Sequence, residues 1–519
     1  MILITAAAEV QGDLRSEFGP IPPVFLPIGN RPLLYWQVQT LRQAFGDESI
    51  VLSLPENISL TNLQSRAIDD SGVEVVTVPA GFSLAASVLF ALNVSESRDD
   101  IVRILHGDTL LKRIDSSVNV VGVSATTDSY DWQLAGTQSG EPSNVWCGYF
   151  CFESRRELSR ALALSDDDFE GAVLAYSQRI PLEEIEAVGW LDLGHVNTYF
   201  QAREKFTTQR EFNDLEIFGG IVRKSSHKTD KILAEAKWFD LLPEDLRLFA
   251  PALYGVDHNV GSYSLEYLPM TPLNDLFVHG NHPKHFWAEL FRSIGDWLLR
   301  AQMALPANES LAVEARNRLV VAKTRARVET FLSVMGVSGN EPVVFNGVSL
   351  PAVWEIVDDL IADSLSRPVL PGLLHGDMCF SNILYDSRNR RVRLLDPRGI
   401  PATSSDATGD LHYDLAKLSH SVIGFYDLII SGAFDVSWDL SRMKFDLEVL
   451  TTHNQQEVKD VYLRDGYALL GDIDLNASIP QMILLFFSML PLHADNQRRQ
   501  WGLFANGLRL YHDYKEGLI

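Results

Sequence analysis

The segment 373–398, LLHGDMCFSNILYDSRNRRVRLLDPR, holds the residues of this chain best suited to chemistry. His375, Gly376 and Asp377 are followed by four residues and then Asn382, and an apolar run through Leu394 and Leu395 ends at Asp396. Phosphoryl transfer asks for few protein groups. It needs a carboxylate beside the attacking hydroxyl and oxygen ligands that hold Mg2+ on the phosphates of ATP. Asp377 takes the first role, with His375 beside it in the same catalytic loop. Asn382 and Asp396 take the second. Asn382 stands five residues beyond Asp377, so one short loop can present both to one centre. The buried strand through Leu394 delivers Asp396 to it.

The rest of the chain must position these groups. It has 519 residues, 46% hydrophobic and 22% charged, which suits two to four soluble globular domains at roughly 150 residues each and excludes bulk disorder. Lys plus Arg total 44 against 68 Asp plus Glu, a net charge of −24. A chain this acidic is a poor general binder of nucleic acid or anionic membrane, although local positive charge and Mg2+ still permit a nucleotide site. Three cysteines, Cys147, Cys151 and Cys379, fit a reducing cytoplasm, and the Cys147/Cys151 pair has no second pair with which to build a zinc site. The apolar runs at 1–8 and 483–492 fall short of the roughly 20 residues that span a bilayer, so no membrane insertion is expected and a cytoplasmic location is.

Residues 1–205 alternate short β-rich runs (1–8, 49–54, 73–78, 101–105) with helical patterns (32–45, 83–94), which predicts an α/β, Rossmann-like domain on a mostly parallel sheet. The texture changes near 206. A hairpin over 212–225 turns at Gly219-Gly220, an amphipathic helix follows over 231–242, and 263–267 reads as a strand. Beyond Pro269 the pattern is helical, and the insertions up to Leu370 read as all-helical. The stripe Trp287, Leu290, Phe291, Ile294, Trp297 is helix core. The expected domains are 1–206, a small β lobe over 207–268 and a large helical lobe over 269–519.

The spacing His-Gly-Asp, four residues, Asn, and a later strand-end Asp resembles the aminoglycoside phosphotransferase and choline/ethanolamine kinase superfamily. That resemblance implies an α+β, protein-kinase-like fold over 207–519. It implies that Lys224, near the end of the second hairpin strand, holds the ATP phosphates and that Glu235 on the next helix orients it. Glu266-Tyr267-Leu268 then forms the hinge whose backbone meets adenine, so Glu266 and Leu268 are cofactor-site residues. Asp410 and Asp414 brace the catalytic loop. Gly376 replaces the protein-kinase Arg, as in the small-molecule branch, and Pro397-Arg398-Gly399 follows the metal Asp in place of Phe-Gly. With no G-x-G-x-x-G before Lys224, residues 207–213 are the candidate cover over the phosphates. His412 and His420 read as structural.

Residues 1–34, MILITAAAEVQGDLRSEFGPIPPVFLPIGNRPLL, resemble the start of sugar-phosphate nucleotidyltransferases. The resemblance implies a phosphate loop ending at Arg15 and two metal-binding aspartates. These are Asp108 in His106-Gly107-Asp108 and Asp192 in Gly189-Trp190-Leu191-Asp192-Leu193-Gly194. It departs from that family where Ala8, Glu9 and Val10 stand at glycine positions and Val24 at the lysine of the Pro-Lys pair. The expected function is an ATP- and Mg2+-dependent phosphotransferase acting on a hydroxyl of a sugar, polyol or amino alcohol. The fusion implies coupling to activation by a second nucleoside triphosphate, in surface or capsular polysaccharide synthesis. Two alternatives stay open: a kinase whose nucleotidyltransferase-like domain only binds or docks, and a non-catalytic nucleotide-binding regulator.

Overall fold

The structure is a computed structural model that describes residues 1–126, 143–205, 214–400 and 407–519. The chain divides into two compact units, Met1–Thr207 with His279–Asn281, and Thr208–Val278 with His282–Ile519.

In the first unit, the described residues place seven strands in one sheet. Its order is Glu183–Glu186, Val120–Thr126, Ser143–Phe152, Val102–His106, Ile2–Thr5, Ile50–Pro55, Glu74–Val78. Ile2–Thr5 runs parallel to both neighbours, and Ser143–Phe152 is antiparallel to the strands on either side of it. The central strand is apolar on both faces. Met1 and Leu3 join one core with Val88, Phe150 and Leu158, while Ile2 and Ile4 join another with Leu34, Leu52 and Leu105. Two buried faces are why this segment reads as a continuous apolar run rather than an alternation. Cys147 and Cys151 lie in the second of these cores. The helices Leu33–Phe45 and Leu84–Val94 begin within two residues of the expected starts. Asp108 lies two residues past the carboxyl end of Val102–His106, the end at which open α/β sheets bind ligands.

The second unit opens on an antiparallel sheet in the order Asp214–Phe218, Ile221–Ser225, Ser262–Glu266, Leu253–Asp257. Phe212 and Asn213, the start expected for its first strand, lie outside the described residues, as does all of 207–213. The helix Thr229–Asp240 follows the hairpin and buries Ile232, Glu235, Ala236, Trp238 and Phe239. The helical lobe is built on Lys284–Met303, whose aromatic stripe is buried as expected: Trp287, Leu290, Phe291, Ile294 and Trp297 are each at most 1% exposed. His453–Leu469 packs on it through Phe291 and Tyr462, while His412–Val422 and Gln497–Lys515 pack on the wholly buried Ile479–Ser488.

The expectation that 269–370 is all-helical fails. Pro342–Phe345 and Val348–Ala352 form a hairpin that joins Lys444–Val449 and Phe434–Asp439 in a four-stranded sheet. These strands are short and half exposed, so their alternation is overwhelmed by the helical periodicity on either side. A π-helical turn, Asn317–Ala322, interrupts Glu309–Arg316 and Lys323–Met335, which read as one continuous helix in the sequence.

The long helix meets its neighbour at Gly295, where an added Cβ would run into the backbone of Leu469 and Leu470. A Gly295→Val variant is expected to lose about 1–3 kcal/mol by overpacking, read as a lowered Tm in calorimetry. An unchanged Tm would show that the helix pair is not close-packed there.

Candidate active site

The loop at 375–382 hangs from one buried carboxylate. Asp414, on His412–Val422, accepts the backbone N–H of His375 through Oδ2 at 2.8 Å and of Gly376 through Oδ1 at 2.7 Å. Gly376 sits at φ +80°, and a Cβ there would approach the Arg398 side chain to 2.7 Å, so the loop needs glycine at this position. His375 is 1% exposed and lies edge-on to Trp238, whose Nε1–H donates to the Leu374 carbonyl at 2.9 Å. The Nδ1 of His375 accepts the backbone N–H of Asp377 at 3.2 Å. The imidazole therefore holds the loop that carries Asp377.

Asp377 faces Lys417 Nζ through Oδ1 at 2.8 Å. Asn382 Nδ2 donates to the Asp377 carbonyl at 2.9 Å and approaches its Oδ2 at 3.3 Å. Burial opposes charge on Asp377, but Lys417 and Arg398 outweigh it and hold the carboxyl well below the usual range. Lys417 is correspondingly held above the usual lysine value, chiefly by Asp377 acting against burial. Asp377 is thus ionised at neutral pH, able to orient a hydroxyl and to take its proton late in a loose transition state.

The strand Arg391–Leu394 ends just before Asp396, which takes a left-handed backbone at φ +52°. The Leu395 N–H donates to the Asn382 carbonyl at 2.8 Å, which joins the two candidate metal ligands through the main chain. Asp396 Oδ1 lies 3.0 Å from Lys224 Nζ, and Glu235 Oε2 lies 2.7 Å from the same nitrogen. The Tyr263 hydroxyl donates to Glu235 Oε2 at 2.9 Å. Burial pulls the Lys224 ammonium down, but Asp396 and Glu235 together raise it above its ordinary value. With its amide nitrogen spent on Asp377, Asn382 offers its amide oxygen. That oxygen and the Asp396 carboxylate are the hard donors that suit Mg2+.

At the edge of the small lobe, Glu266 Oε2 accepts from Ala252 N–H at 3.2 Å and Arg393 Nη2 at 3.1 Å. Leu268 is buried, and its carbonyl accepts the Met270 N–H at 2.8 Å. Asp410 braces the segment before the loop, accepting the Leu370 N–H at 3.0 Å. His412 lies 3.0 Å from Asp410, and His420 stacks on Tyr426. Lys417 and Arg398 are both in contact with the loop at 375–382, and sequence reasoning gives neither a role. The signal for Lys417 is its place three residues after Asp414 on one helix, which puts both side chains on the face toward the loop.

In the first unit, Thr109–Leu110 pairs with Leu191–Asp192 and brings Asp108 beside Asp192. Their carboxylates both border Gly194. Asp192 accepts the Gly194 N–H at 2.8 Å and the Thr198 hydroxyl at 2.9 Å. Burial and Asp192 push the Asp108 carboxyl up to about 6. Two carboxylates that repel one another in this way are a fit donor pair for a divalent cation. Arg15 lies on Gly12–Phe18 and is ion-paired at the surface with Glu9 at 2.7 Å. Val24 is fully buried within the core.

No family model matches this chain, and no curated protein matches it. Among solved structures it is similar to the inositol-1-phosphate CTP transferase from T. maritima, at 16% identity over 40% of this chain and 95% of that one, TM-score 0.29. It is similar to choline kinase LicA from Streptococcus pneumoniae, at 12% identity over 59% and 92%, TM-score 0.34. It is also similar to a choline/ethanolamine kinase family protein from Mesorhizobium loti, at 14% identity over 58% and 86%, TM-score 0.32. Nucleotidyltransferases match its N-terminal part and choline kinase-family proteins its C-terminal part.

Burial holds His375 down to about 4 from its usual 6.5. The folded protein therefore binds this proton less readily than the unfolded chain. The stability involved is complete above about pH 6.5 and is lost as pH falls through about 4, up to about 3 kcal/mol. His375→Gln, which keeps an acceptor for the Asp377 N–H, is expected to flatten this part of the denaturation profile between pH 6.5 and 4. A profile unchanged by the substitution would remove His375 as its source.

Proposed function

We propose that the second unit is a phosphotransferase that moves the γ-phosphoryl group of ATP to a hydroxyl of a small molecule. The observation that supports this reading is the convergence of Asp377, Asn382, Asp396, Lys224 and Glu235, drawn from four separate segments, on one centre. Lys224, held by Glu235, would neutralise the ATP phosphates. The Glu266–Leu268 hinge would meet adenine. Asn382 and Asp396 would hold Mg2+, which supplies charge neutralisation on the phosphates. Asp377 orients the acceptor hydroxyl. The new bond joins that oxygen to the γ-phosphorus, the bond to the bridging β,γ oxygen breaks, ADP leaves, and the hydroxyl proton passes to Asp377 and on to solvent.

For the first unit, the paired carboxylates Asp108 and Asp192 support a metal-nucleotide site. The ion pair of Arg15 with Glu9 and the burial of Val24 support the reading in which that site binds or docks without transferring a nucleotidyl group. There the loop offers no uncompensated cation to a triphosphate. Active nucleotidyl transfer, feeding an activated donor to polysaccharide synthesis in the cytoplasm, is the alternative.

Two experiments on the full chain test these readings. Mg·ATP should bind by calorimetry, and Asp377→Ala should lower acceptor-dependent ADP release by about 10²–10⁴-fold with ATP affinity within twofold of wild type. Turnover that survives Asp377→Ala would discard the phosphotransferase assignment, and a chain that binds ATP but never turns it over would point to a regulator. Separately, Mg·CTP, Mg·UTP and Mg·GTP are titrated with and without Asp108→Asn. On the binding-only reading, one of them binds in an Asp108-dependent way and no pyrophosphate appears. Pyrophosphate release abolished by Asp108→Asn would establish the active alternative.

A further inference from the structure

Four basic side chains gather on the side of Asp377 served by the helix Lys323–Met335. Lys323 Nζ lies 3.3 Å from the Tyr413 hydroxyl, and Arg398 Nη2 lies 3.4 Å from the same oxygen. The two basic nitrogens therefore stand within about 7 Å of one another across a single phenol. Arg327, one helical turn beyond Lys323 and on the same face, donates to the Ser488 carbonyl at 3.1 Å. Lys417 stands behind them on Asp377 at 2.8 Å.

Like charges spaced four apart on a helix destabilise it. Here the π-helical turn Asn317–Ala322 sets the rotation at which Lys323 and Arg327 emerge. Such turns recur at functional sites. The carboxylates that face the cluster are already engaged. Asp377 is paired with Lys417, and both oxygens of Asp414 are taken by loop amides. Among the described residues, no carboxylate lies within salt-bridge distance of Lys323, Arg327 or Arg398. Burial, then Arg398, Lys417 and Arg327, push the Lys323 ammonium down to about 6, with Asp377 acting against them. Burial and Arg398 likewise lower Arg327. Half-buried cations that repel one another are the electrostatic complement of an anion.

Resting on the phosphotransferase reading, we propose that the acceptor carries, besides its reacting hydroxyl, an anionic group (a phosphate or a carboxylate) that Lys323, Arg327 and Arg398 bind beside Asp377. This places the substrate among acidic or already phosphorylated sugars and polyols. It excludes cationic amino alcohols, which the cluster repels. The reaction that supplies such a substrate is a phosphorylation or an oxidation of a polyol or sugar.

The test uses the full chain saturated with Mg·AMP-PNP, so that the nucleotide's own phosphate positions are filled. Inorganic phosphate, acetate and tetramethylammonium are titrated by calorimetry at constant ionic strength. One of the two anions should bind saturably, and tetramethylammonium should not. The anion that binds more tightly decides between a phosphorylated and a carboxylated acceptor. The double variant Lys323→Gln/Arg327→Gln should weaken anion binding at least tenfold with AMP-PNP affinity within twofold of wild type, while Lys323→Arg retains it. Anion binding at pH 7.5 should also take up protons, measured in buffers of different ionisation enthalpy, because an anion restores the charge on Lys323. The proposal falls if neither anion saturates the nucleotide-loaded protein, if the double variant binds as wild type does, or if tetramethylammonium binds instead. Failure of AMP-PNP itself to bind is read in the first titration and would overturn the phosphotransferase reading, and this inference with it.

Discussion

A buried ammonium held between two carboxylates sets the geometry of the second unit. Lys224 is 4% exposed and Glu235 2%. Each would be costly to bury alone, by several kcal/mol after relaxation. The cost is offset only if Glu235, Lys224 and Asp396 meet at hydrogen-bond distance, and they come from a helix, a strand and a strand-end turn in different parts of the unit. Tyr263 supplies a further donor to Glu235 and so fixes the carboxylate as well as the cation. That requirement accounts for the left-handed backbone at Asp396. An extended residue after Leu394 would carry the carboxylate onward with the strand, whereas φ +52° turns the chain at this point. On the proposed reading, an ATP phosphate arriving at Lys224 would meet a cation that is already ordered.

The loop at 375–382 is held by the opposite arrangement, with one carboxylate between two backbone donors. By accepting both His375 and Gly376, Asp414 leaves Asp377 free of structural duty toward the main chain before it. The charge on Asp377 is then set by Lys417 and Arg398 against burial. A carboxylate held this low is a weak base in the ground state. That suits phosphoryl transfer, where proton removal comes late and positioning supplies most of the rate.

Much of this was legible in the sequence because the chemistry is local there. Asp377 and Asn382 share one loop, Lys224 follows a two-residue turn, and Asp396 ends an apolar run. Long-range pairings such as Lys224 with Glu235 and Asp396 could be expected only through resemblance to a known arrangement, since nothing in their own spacing, up to 172 residues, specifies contact. The four-stranded sheet over 342–352 and 434–449 is not legible in the sequence because its strands are short, half exposed and separated by about eighty residues of chain. Lys323 and Arg327 were passed over for another reason. On a helix read as continuous they fall on a face like any solvated one, and only the π turn before them gives that face its actual rotation.

The same residues show why net charge is a weak guide to a ligand. At −24 the chain as a whole repels free anions, and composition alone argues against an acidic substrate. Screening limits that field to about 8–10 Å at physiological salt, whereas Lys323 and Arg398 stand within about 7 Å of each other across one hydroxyl, where screening and water are both reduced. Local geometry therefore outweighs the global term beside Tyr413. Arg398 ties this to the catalytic loop directly. Its backbone N–H donates to the His375 carbonyl at 2.8 Å and its Nε to the Gly376 carbonyl at 3.2 Å, while its Nη2 reaches the Tyr413 hydroxyl beside Lys323. The cation that helps keep Asp377 ionised is the one proposed to face the acceptor's charge, and an anion drawing on Arg398 would loosen its hold on Asp377 and raise the basicity of that carboxylate.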